Sequence, residues 1–144
     1  MRLEEILRCL PNSAVPVTEL SLYLERIDVV ALREILPFIR HLEQFIIITR
    51  YRPRRLRRAH LLGKTVFAHM PRLHTFLLCT TRRARNQPTP LHNGYGSYFY
   101  EQQEACLRAF DRHAPWLQRV MLTTGLEWVK QANGTWDDVE GQGF

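Results

Sequence analysis

One pattern of six positions, apolar-x-x-apolar-x-apolar, recurs four times along the chain. It reads Val17-Thr18-Glu19-Leu20-Ser21-Leu22, then Leu42-Glu43-Gln44-Phe45-Ile46-Ile47. It returns as Leu73-His74-Thr75-Phe76-Leu77-Leu78 and Leu117-Gln118-Arg119-Val120-Met121-Leu122. The closing apolar-x-apolar of each copy has the period of two of a strand with one face in a core. Ile39-Arg40-His41, Pro71-Arg72 and Pro115-Trp116 stand just before the leading Leu of the last three copies, where proline is tolerated because no ladder has begun. The pattern predicts strands near 17–24, 42–49, 73–80 and 117–123. Leu20, Phe45, Phe76 and Val120 should then stand side by side and point inward.

Between the copies the period shifts to that of helices. Asp28 is a good N-cap for Val29–Phe38, with Val29, Leu32, Ile35 and Leu36 on one face and Pro37 marking the end. About Leu56 to His69, Leu62, Val66 and Met70 fall four residues apart. About Tyr98 to His113, Phe99, Cys106 and Phe110 share a side, with Asp111 and Arg112 outside. The chain also opens with Leu3, Ile6, Leu7 and Leu10 on one stripe. Strands alternating with helices imply parallel strands joined by right-handed crossovers.

After the fourth copy, Glu127–Ala132 and Thr135–Val139 flank Asn133-Gly134, a strong hairpin signal. A two-residue turn there sets Lys130 opposite Asp137 and Trp128 opposite Val139, in a terminal hairpin over 126–139 that would cover the end of the stack. The leading positions of the copies are 25, 31 and 44 residues apart. The last interval holds an insertion at 82–98, whose Pro88, Pro90, Gly94 and Gly96 predict a flexible surface loop. At 144 residues the whole of 1–144 is expected to form a single domain, an irregular leucine-rich-repeat-like α/β stack of parallel strands with covering helices.

The units Pro-x-Leu-x-x-[Phe/Val]-x-Leu resemble the C-terminal leucine-rich-repeat-like regions of F-box proteins, especially the divergent sets of basidiomycete fungi. So does the ending, Ala114-Pro115-Trp116-Leu117-Gln118-Arg119-Val120 followed by Glu127-Trp128 and Gly134-Thr135-Trp136. The resemblance spans about Val15 to Val139. It implies a non-catalytic, protein-binding role like that of the substrate-recognition region of such proteins. Two departures bear on what it implies. Glu25, Arg50, Thr81 and Gly125 stand where the repeat usually has Asn or Cys, so the stack should be irregular. The F-box helical module is absent before the first strand, so binding of a Skp-family adaptor is not expected.

Charge adds one feature. Between Gln44 and Tyr100 there is no Asp or Glu, yet there are eleven Lys or Arg. The nine bases elsewhere face fourteen acids, so a basic middle lies between acidic ends and only the sum gives +6. Arg50, Arg52, Arg54, Arg55, Arg57 and Arg58 form one run, and Arg82, Arg83 and Arg85 a second. Guanidinium forks suit phosphate or carboxylate, and Tyr51 could stack on a base. These nine arginines are therefore the candidate partner-binding residues, for an acidic protein, for nucleic acid as the alternative, or as an import signal. A solvated surface is the plain alternative to all three.

Catalytic chemistry finds no support. No nucleophile elbow, phosphate-cradling glycine loop or His-Glu-x-x-His pair occurs, and the six histidines show no ligand spacing. Glu101, Glu104 and Asp111 read as the solvated face of a helix. No enzyme activity, cofactor or metal is expected. Three widely spaced cysteines (Cys9, Cys79, Cys106) suit buried thiols in a reducing compartment. An acidic start and the lack of any membrane-length apolar run predict a cytoplasmic or nuclear protein with no membrane partner. The three tryptophans, Trp116, Trp128 and Trp136, are better read as packing of the hairpin onto the last repeat than as binding anchors.

Overall fold

A computed structural model describes residues 2–12, 15–50, 57–80, 96–122 and 126–140, the side chains of 12, 57, 58, 96–100, 139 and 140 excepted. The chain is mixed α/β around one six-stranded sheet, in the order β1-β2-β3-β4-β5-β6. β1 (Glu19–Leu24), β2 (Gln44–Thr49), β3 (Thr75–Thr80) and β4 (Arg119–Leu122) run parallel, and each comes from one copy of the six-residue pattern. β5 (Leu126–Lys130) and β6 (Trp136–Glu140) continue the sheet antiparallel.

The register follows the pattern residue for residue. Leu20 pairs with Phe45, Phe45 with Phe76 and Phe76 with Val120. The next inward row is Leu22, Ile47, Leu78 and Leu122, all with no exposed surface. Each parallel strand after the first starts the same way. Leu42, Leu73 and Leu117 are wholly buried, and their N–H groups donate to Ile39, Met70 and Ala114 three residues back. The residue before each strand then offers one carbonyl to two successive N–H groups of the next copy. Thr18 receives Glu43 and Gln44, Glu43 receives His74 and Thr75, and His74 receives Gln118 and Arg119. One local solution thus recurs at each step, which is why the leading Leu and the strand keep their spacing while the intervals between copies vary.

Covering helices supply the other half of the core. α1 (Leu3–Cys9) buries Ile6, and α2 (Val29–Ile39) buries Leu32, Ile35, Leu36 and Ile39. The Asp28 carboxylate caps α2, accepting from the N–H groups of Val30 and Ala31. The helix runs through Pro37 to Ile39; Pro37 and Arg33 are both exposed, so the carbonyl deprived of its donor faces water. α5 (Gly96–His113) buries Cys106, Leu107 and Phe110. Phe110 joins Phe67 at 5.0 Å between ring centroids, and Phe67 meets Phe76 at 4.7 Å and a 57° tilt. These edge-on and tilted contacts put ring hydrogens on ring faces, adding to the apolar burial of the cluster.

Five local expectations are corrected. The stretch from Leu56 to His69 is not one helix: α3 (Arg57–His60), α4 (Leu62–Thr65) and a turn at Phe67–His69 follow one another. Thr65 Oγ1 donates back to the Leu61 carbonyl at 2.6 Å, and Val66 leaves helical backbone at φ −122°, which buries Phe67 beside Val66. Leu7 is 43% exposed rather than part of the buried stripe, because α1 turns only Ile6 fully inward. Cys9 is also exposed, on the outer side of α1, whereas Cys106 is buried. Gly96–Tyr98 belong to α5, so the expected insertion loop ends sooner; its residues 82–95 lie outside the described residues.

The fifth correction is the register of β5 and β6. Lys130 pairs with Trp136, Val129 with Asp137 and Trp128 with Asp138, one residue away from the predicted pairing. The turn has three residues rather than two: Gly134 N–H donates to the Gln131 carbonyl, and Gln131 N–H to Thr135. Gly134 takes φ +86°, the left-handed residue that closes a three-residue turn. Asn133 Oδ1 accepts from both the N–H and the hydroxyl of Thr135, so Asn133 braces the turn from its side chain. Among the described residues, no helix is long and apolar enough to cross a membrane.

Candidate interaction surface

β2 and β3 are apolar on both faces, and among the described residues helices pack on only one of them. β2 and β3 carry uninterrupted runs, Phe45-Ile46-Ile47-Ile48 and Phe76-Leu77-Leu78-Cys79. Phe45, Ile47, Phe76 and Leu78 enter the helix-covered core, whereas Ile46, Ile48, Leu77 and Cys79 alternate onto the opposite face. None of these four belongs to the core cluster, and each is only partly buried. Among the described residues no helix lies on that face.

The register lays out this face in rows. Ser21, Ile46, Leu77, Met121 and Glu127 form the middle row, and Tyr23, Ile48 and Cys79 the row toward the C-terminal ends of the strands. Glu19, Gln44, Thr75, Arg119 and Val129 form the row at the opposite end. The centre is therefore aliphatic, and the row at the N-terminal ends of the parallel strands is mostly polar. Tyr23 is 51% exposed at one margin. At the other, Arg119 holds Glu127 in an ion pair that leaves the arginine half exposed and the glutamate almost covered. His74 Nδ1 and Thr75 Oγ1 lie 2.8 Å apart on the rim beside them. Burial holds the Cys79 thiol above its ordinary pKa, favouring its uncharged form.

Of the nine arginines singled out by the sequence, only Arg50 has its side chain among the described residues. Arg50 is exposed at the end of β2, its N–H donating to the Leu24 carbonyl. Arg57 and Arg58 open α3, with their side chains outside the described residues. Arg52, Arg54, Arg55, Arg82, Arg83 and Arg85 lie outside the described residues altogether. The two runs do follow neighbouring strands, because β2 and β3 pair and Thr49 stands beside Thr80.

Sequence reasoning missed a polar cluster on the covered side. Asp111, expected on a solvated helix face, accepts the Trp136 indole N–H through Oδ2 at 2.8 Å. Lys130 Nζ reaches Asp111 Oδ1 at 2.5 Å and the Pro115 carbonyl at 2.8 Å, and lies 5.0 Å from the Trp136 ring centroid. Trp128 donates to the buried Gln103 Oε1 at 2.9 Å, and Trp116 to the Met70 carbonyl at 2.9 Å. All three indole N–H groups are thus satisfied internally, as packing anchors require. The expected register set Lys130 opposite Asp137 rather than Trp136, and the bond from Trp136 to Asp111 spans 25 residues, beyond any local pattern. No group of three or more metal-ligating side chains occurs among the described residues. No protein-family model matches the chain, and neither does any curated protein or solved structure.

Proposed function

We propose that this chain is a non-catalytic protein-interaction domain, built as an irregular leucine-rich-repeat-like stack closed by the β5–β6 hairpin and akin to the substrate-recognition region of F-box proteins. The observation that carries this reading is the half-buried aliphatic face around Ile46, Ile48 and Leu77, on which no helix lies among the described residues. Parallel sheets are normally covered on both sides. Single-sided cover is instead the geometry of repeat stacks, whose strands line an open surface while helices pack behind them. An aliphatic centre bordered by polar residues, as along the row from Glu19 to Arg119, also suits a protein-binding patch.

The test uses the full chain and a variant carrying Ile46→Lys with Leu77→Lys, both on the open face. Proteins captured by the wild type are purified and titrated against both forms. A partner that binds the wild type and loses at least tenfold affinity for the variant, while a Glu34→Lys control on exposed α2 binds normally, supports the reading. Partners that bind both forms equally, or none that bind at all, overturn it.

A second reading, nucleic-acid binding, is favoured by the adjacency of β2 and β3, the strands that the two arginine runs follow. It requires log-linear weakening of binding to a labelled duplex or single strand as salt rises. A flat salt dependence, or no binding, removes it.

A further inference from the structure

We draw no further inference here: the strongest candidate, the helix-free sheet face around Ile46, Ile48, Leu77 and Met121, belongs to the surface already described, and nothing in the structure shows what covers it.

Discussion

Lys130 and Asp111 join the last two strands to the helix that covers them, with Nζ 2.5 Å from Oδ1. The contact is an ion pair rather than an aligned hydrogen bond, since Oδ1 is buried without a partner of hydrogen-bond geometry. The lysine side chain is 10% exposed and the aspartate 32%, so screening by water is partial. Trp136 bonds the other carboxylate oxygen and shields the ammonium. One carboxylate therefore fixes β5 and β6 against α5.

Removing it should loosen that end of the sheet first. Asp111→Ala leaves a poorly hydrated ammonium and an indole N–H without their partner, at a cost of about 2 kcal/mol. Amide exchange should accelerate across 126–140 while β1 to β3 stay protected. Uniform acceleration over the whole sheet would show that the carboxylate stabilises the fold globally rather than docking one end.

Gly63 lies against the backbone of α5, and a Cβ there would meet Ala109 O at 3.1 Å and Phe110 Cα at 3.2 Å. Two of the nearest atoms are backbone and cannot swing aside. Gly63→Ala should therefore destabilise by about 1–2 kcal/mol, since overpacking outweighs the gain in helix propensity in a single turn. A denaturant midpoint equal to or above that of the wild type would contradict this close approach.

Burial pushes the Cys106 thiol up to about 12 from an ordinary 9.0. The folded state holds this proton more tightly than the unfolded one, so stability is full below pH 9 and falls as pH rises from there toward 12. Cys106→Val should flatten the alkaline decline in thermal midpoint. In the native state a thiol reagent should modify exposed Cys9 rapidly and Cys106 only on unfolding. Rapid native labelling of Cys106 would refute its burial.

What could be read from the chain was local and periodic. The leading Leu and the inward positions repeat at fixed offsets, so the sequence alone aligns Leu20, Phe45, Phe76 and Val120. Asp28 announced its helix for the same reason, because a cap acts on the next three residues. The terminal turn was misjudged by one residue: Asn-Gly favours a two-residue turn, but Asn133 bonds Thr135 and leaves the left-handed backbone to Gly134 alone. Asp111 and Gly63 act through distant partners that no local pattern reveals. The second face of the sheet had a signal that alternation concealed, since Ile46, Ile48 and Leu77 fill positions the repeat leaves unspecified. The arginine runs were the loudest compositional feature, yet of their nine side chains only that of Arg50 is described.

Thermal unfolding of Leu77→Asp beside Leu78→Asp tests most directly whether only one face of the sheet is packed. These neighbours in β3 point to opposite faces, Leu78 wholly buried under the helices and Leu77 outside that core. Leu78→Asp buries an unpaired carboxylate and should abolish cooperative unfolding, whereas Leu77→Asp should keep it with a midpoint lowered by only a few degrees. Equal loss of structure in both variants would mean that the second face is packed as tightly as the first, and the open interaction surface would not exist.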